Sequence, residues 1–297
     1  MTCPVSTPSV DASLSMTLLP AVLSLTAGSV DVISFLGLGG LFPAHITGNL
    51  VILAAHIVNA GEAPVALMLS VPVFVVMLGL TRLVIGGLKS LGLATLQPLL
   101  LLQLLLLVAF FILCFSVGSH IDPNATSAIF AGMLGVSAMA VQNALVQVSL
   151  KGAPATAVMT TNITRVAIDL GEVLLGRDPG DIAEARRRAN HTCPAIVGFA
   201  VGCGLGATSE AAFGLLSLAL PMGFALLAFV RDLRPAPLRK RVHDSSEVLE
   251  VSAVIGSVAA RARAGERATV RCSAAALRFA PLSRGLPRSL HRVLAPA

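Results

Sequence analysis

Apolar residues along this chain come in long runs. Six runs are long enough to cross a bilayer, at 16–40, 64–86, 96–118, 126–150, 191–208 and 211–230. A span needs about 20 apolar residues, so each run predicts a transmembrane helix. The fifth is short and carries Gly198, Gly202 and Gly206 at four-residue spacing. Those glycines share one helical face and let a neighbouring helix approach closely.

Two further apolar pieces, 44–58 and 155–175, are interrupted near their starts by polar residues. The first carries His45, Thr47, Gly48 and Asn49, and the second Thr160, Thr161, Asn162 and Thr164. Neither makes a comfortable full span. His45-Ile-Thr-Gly-Asn-Leu aligns with Val158-Met-Thr-Thr-Asn-Ile at an offset of 113 residues. Each piece follows an apolar run with small residues and a polar group, Asp31 in the first half and Gln142-Asn143 in the second. Two more runs follow each piece. The chain reads as a duplicated unit.

Charge adds direction to this pattern. Arg82, Lys89, Lys151, Arg177, Arg186, Arg187, Arg188, Arg231, Arg234, Arg239, Lys240 and Arg241 fall in alternate connections, which the positive-inside rule puts in the cytoplasm. The remaining connections hold Glu62, His120, Asp122 and Glu210, with no Lys or Arg. With Lys151 and Arg177 on one side, the segment between them cannot cross once and must be re-entrant or lie against the bundle. The same logic starts and ends 44–58 outside. The expectation is an all-α membrane protein with about six transmembrane helices, arranged as two inverted three-helix repeats. Each repeat has one broken or re-entrant segment, and both termini are cytoplasmic.

Composition agrees with a bilayer solvent. Of the 297 residues, 55% are hydrophobic and 12% charged, and the mean hydropathy is +0.86. A soluble domain carries about twice that share of charge. Residues 1–231 hold 9 Lys/Arg against 10 Asp/Glu, whereas 232–297 hold 12 against 5. The basic charge therefore belongs to the tail and says nothing for nucleic-acid binding by the body. The organisation expected is a polar N-terminal segment over 1–14, a polytopic domain over 15–231, and a basic, mostly disordered cytoplasmic tail over 232–297. Five cysteines, Cys3, Cys114, Cys193, Cys203 and Cys272, stand in no metal-ligand spacing.

The residues that could carry chemistry lie near the two interruptions, because broken helices leave backbone groups free to grip a substrate. Asp31 stands well inside the first run, where a charge is costly. It reads either as a proton, cation or substrate site, or as an acid that hydrogen-bonds the broken segment. Asn49 and Asn162 occupy matching positions, as do Thr47 and Thr160; these groups bind ligands or cap helix starts. Gln142 and Asn143 suit interhelical hydrogen bonding. Arg165 and Asp169, four apart, read as an intrahelical ion pair, the alternative being that Arg165 meets an anionic substrate. His45 and His56 titrate near neutrality, but a lone histidine at an interface is ordinarily passive. No GxSxG, HExxH or P-loop signature is present.

Ala27-Gly-Ser-Val-Asp31, Phe35-Leu-Gly-Leu-Gly-Gly-Leu-Phe42 and His45-Ile-Thr-Gly-Asn49 resemble the opening of the YoaK family, domain of unknown function 1275. Gln142-Asn-Ala-Leu145, Thr156-Ala-Val-Met-Thr-Thr-Asn162 and Arg165 resemble its second signature. The similarity covers roughly 15–231. The chain departs at Thr161, where that signature usually has Gly. The resemblance implies a bacterial multi-pass membrane protein and names no substrate.

Two functions fit. One is a secondary transporter or exporter of a small solute, with a midplane site at the repeat interface drawn from Asp31, Thr47, Asn49, Gln142, Asn143, Thr160, Asn162, Arg165 and Asp169. The other is a non-transporting membrane protein that serves assembly or interaction. The expected setting is the inner membrane, with the lipid bilayer and a small solute as partners and proton or cation coupling. No enzyme activity, cofactor, metal or nucleic acid is expected, and a homo-oligomer is left open.

Overall fold

The structure, a computed structural model, describes residues 10–59, 64–117, 122–150 and 152–233. Among these residues the chain is all helical: α1 Val10–Gly37, α2 Ile46–Val58, α3 Val65–Ser90, α4 Leu96–Val117, α5 Thr126–Ser149, α6 Met159–Leu175, α7 Pro179–Phe213, a 3-10 turn over Gly214–Leu218, and α8 Ala219–Leu233. They belong to one compact unit that ends at Arg234. The expected tail from 234 onward, most of the polar N-terminal segment, and Glu62, His120 and Lys151 lie outside the described residues.

Five stretches are long and apolar enough to cross a membrane: Leu18–Gly37, Val65–Ser90, Leu96–Ser116, Thr126–Ser149 and Pro179–Asp232. The sixth expected span is not separate on this criterion. The fifth and sixth runs share one 54-residue helical stretch. At about 1.5 Å per residue, the 35 residues of α7 exceed the ~30 Å hydrocarbon core. Its polar N-terminal turns extend beyond the apolar run, opened by Asp178, whose side chain accepts the Gly180 N–H at 2.7 Å. Gly214 turns the chain with φ 58° before α8.

The two interrupted pieces form the short helices α2 and α6, the first preceded by non-helical backbone at 38–45 and the second at 150 and 152–158. At 13 residues, α2 reaches only ~20 Å. Gly39 and Gly40 carry the first break with φ 67° and 86°, a region open to glycine.

The core is built on α1 and α5, whose apolar windows are 61% and 72% buried, against 17% for α3. Large apolar side chains of the outer helices, such as Val75, Leu83, Ile112, Val51 and Leu174, face outward, as a lipid solvent permits. α7 packs on α1 and α3 on α5; α2 lies on α3 and α6 on α7; α8 touches both α1 and α4, and α4 packs on α5. The glycine stripe makes the closest contact. A Cβ on Gly198 would fall 2.5 Å from the Ala21 carbonyl oxygen, one on Gly202 would collide with the Leu25 carbonyl, and one on Gly206 would fall 3.0 Å from that of Ser29. The register climbs both helices together, so α1 and α7 run parallel. Gly28 also faces α7, where a Cβ would meet the Phe199 carbonyl and Cys203.

Candidate functional site

Non-helical backbone inside a bundle must find partners for its N–H and C=O groups. In the first break, Asp31 and Asn49 supply them. The Ala44 N–H donates to Asp31 Oδ1 at 2.6 Å, and His45 Nδ1 lies 2.6 Å from Asp31 Oδ2. Asn49 accepts the Phe42 N–H at 2.8 Å and donates to the Phe42 carbonyl at 2.8 Å. The peptide 42–45 is thus clamped between one helix and the next. Asp31 is 2% exposed, while the His45 side chain keeps 35%. His45 meets Phe199 edge-on at 5.4 Å, and Phe42 stacks on Phe35 at 4.8 Å. A buried carboxylate bonded to a half-exposed imidazole can carry a proton between the bundle interior and the solvent side.

The second break is held differently. Asn162 Nδ2 donates to the Ala155 carbonyl at 2.6 Å, the same seven-residue reach as Asn49 to Phe42. Its Oδ1 is buried without a protein partner. Gln142 Nε2 donates to Thr156 Oγ1 at 3.0 Å and to the Leu23 carbonyl at 3.0 Å. Gln103 Nε2 donates to Gln142 Oε1 at 2.7 Å. Gln142 therefore ties α1, α4, α5 and the break together.

Several expected sites lie elsewhere. Thr47 and Thr160 cap nothing. The N-cap positions are His45 and Val158, neither with a side-chain cap bond; the threonines stand one residue inside each helix and are exposed. Asn143 donates at 2.9 Å to Met139 O of its own helix rather than across helices. Arg165 is exposed and does not meet Asp169. Asp169 is only 6% exposed on the face of α6 that packs on α7, so its partner comes from that helix: Arg188 Nε donates to Asp169 Oδ1 at 2.8 Å. Asp31 bonds the Ala44 N–H and His45, both in the broken segment.

Sequence reasoning missed four residues. His45 was read as passive. Thr156 opens the motif Thr156-Ala-Val-Met-Thr-Thr-Asn162 without any local sign of its partner Gln142. Gln103, a polar residue deep in an otherwise apolar run, is the signal that could have been read. Arg188 was read only as loop charge. Cys114, Cys193 and Cys203 are free.

Nothing among the curated proteins or the solved structures matches the chain. A family model does, over residues 19–231, and that span holds both breaks and every side chain that clamps them. The chain belongs to the family described as "Protein of unknown function (DUF1275)".

Proposed function

We propose that this chain is a secondary transporter or exporter of a small solute, built as two inverted halves of three spans and one re-entrant segment each. The Asp31–His45 pair in the first break carries the coupling proton. The observation that carries the reading is the pair of breaks at matching positions. Each is clamped by an asparagine seven residues downstream, and one is backed by an intramembrane acid. Interrupted helices in corresponding positions of two halves are how such proteins line a midplane site.

Packing supports the duplication. Exchanging α1–α4 with α5–α8 turns the α1–α7 contact into α5–α3, α2–α3 into α6–α7, and α1–α8 into α5–α4. Topology has support too. Thr95 Oγ1 and Ser149 Oγ lie 2.9 Å apart, and Gln97 Nε2 donates to the Asp232 carbonyl at 3.2 Å. These bonds gather the helix ends that carry Lys89 and Arg231. At the other end, a Cβ on Gly39 would lie 2.7 Å from Pro123 and 3.8 Å from Pro64, and one on Gly37 would lie 3.6 Å from Glu210. The acidic connections share that end. Since α1 and α7 run parallel, this reading has the start of α1 on the side of Arg186–Arg188, the cytoplasmic side under the positive-inside rule. On this reading α7 and α8 are two spans that turn at Gly214–Leu218, in the inner membrane.

A second reading, a non-transporting assembly or interaction protein, is favoured by one observation: both oxygens of Asp31 are engaged by their own chain. Uptake and efflux measured over a panel of small solutes, in cells lacking this chain and complemented with it, separate the two. Transport predicts a solute whose flux follows the proton gradient and stops with Asp31→Asn while the protein still inserts. No solute moved by the native chain, or full coupled flux with Asp31→Asn, would reject the coupling role.

A further inference from the structure

The second break leaves a surplus that the first does not. Asn49 uses both ends of its amide on Phe42, whereas Asn162 uses only its Nδ2, and its Oδ1 is buried without a protein partner. Gln103 Oε1 and Ser24 Oγ are buried in the same condition. Each is tied to one hub, the Gln142 carboxamide, directly or through a chain neighbour. Gln103 bonds its oxygen at 2.7 Å, and Leu23, the neighbour of Ser24, accepts from its nitrogen at 3.0 Å. Thr156 also accepts from it at 3.0 Å and adjoins Ala155, the partner of Asn162. Ser24, Gln103, Gln142 and Asn162 are each 0% exposed and Thr156 is 1% exposed.

The surplus has a definite chemistry. Amide carbonyl oxygens accept and never donate, so Gln103 and Asn162 call for an electropositive group. No Asp, Glu, His, Lys or Arg takes part in these bonds. A divalent ion draws on carboxylates, which argues against double charge. A dehydrated alkali cation is instead held by neutral carbonyl and hydroxyl oxygens, and interrupted helices in transporters expose such oxygens for sodium. We infer that the hub around Gln142 binds a sodium-sized monovalent cation through the oxygens of Ser24, Gln103, Thr156 and Asn162. The ion joins α1 and α4 to the second break and α6. The inference goes beyond the transport reading, since the ion's binding is measured without any solute.

The test uses the full chain, purified in detergent or nanodiscs, with radioactive sodium as probe and choline chloride holding ionic strength constant. Saturable sodium binding is expected, displaced by unlabelled sodium and not by choline, with sodium raising the thermal midpoint. Gln103→Leu removes a surplus oxygen and should weaken sodium affinity by about tenfold or more. Because Gln103→Leu also strands Gln142 Oε1, its midpoint in choline should fall. Ser24→Ala removes a hydroxyl without a protein partner, so it should weaken sodium binding while keeping the native midpoint in choline; a merely structural Ser24 would leave sodium affinity unchanged. Absence of saturable sodium binding by the native chain overturns the inference, as does native affinity in either variant that folds.

Discussion

Asn49 and Asn162 make the same reach, yet they do different amounts of work. Asn49 satisfies an N–H and a C=O of Phe42, whereas Asn162 satisfies one carbonyl. Each backbone group stranded away from water costs about 1–3 kcal/mol. Asn49→Ala should therefore lower stability by more than Asn162→Ala, by a margin within that range, as read by denaturant unfolding in micelles; equal losses would contradict the two clamps.

At the scale of the helix, the α1–α7 seam depends on the absence of side chains. A Cβ on Gly202 meets the Leu25 carbonyl of the opposite backbone, which cannot swing away as a rotamer can. Gly202→Val should force the helices apart and lower stability by about 1–3 kcal/mol, the usual cost of overpacking. Gly204 has nothing within 4 Å of its Cβ position, so Gly204→Ala should be neutral or slightly stabilising, since Ala favours the helix. Thermal unfolding of the two variants side by side checks the direction of the seam. The short helix α6 is held on α7 by Asp169 and Arg188. Because Asp169 is buried at that contact, Arg188→Ala should loosen α6 and raise its cleavage by added protease, while Arg165→Ala should leave cleavage unchanged.

Over the whole molecule, the gathering of Thr95, Ser149 and Gln97–Asp232 at one end predicts which surfaces face the cytoplasm. In a cysteine-free background, Lys151→Cys and Ser90→Cys should react with a membrane-impermeant thiol reagent only after the cells are opened. Labelling of either in intact cells would sink the inverted arrangement. The family match ends at residue 231 and the compact unit at Arg234. Truncation after Leu233 should accordingly leave insertion and thermal stability at their native values.

Hydropathy and charge were enough to establish that the chain is helical, that it belongs in a bilayer and where its helices are interrupted. Those properties are local: an apolar run, a glycine every fourth residue or a polar cluster acts within a few turns of itself. The glycine stripe even announced a close helix contact, though not that α1 would be the partner. Partners were decided by how the chain returns on itself. Asp31 meets His45 from 14 residues away, Gln103 meets Gln142 from 39, and Gln142 meets Leu23 from 119. The same return brought Arg188 to Asp169 across 19 residues, in place of the nearer Arg165. A buried polar group takes whichever donor packing delivers at hydrogen-bond distance, and packing is a property of faces that meet only in the folded bundle.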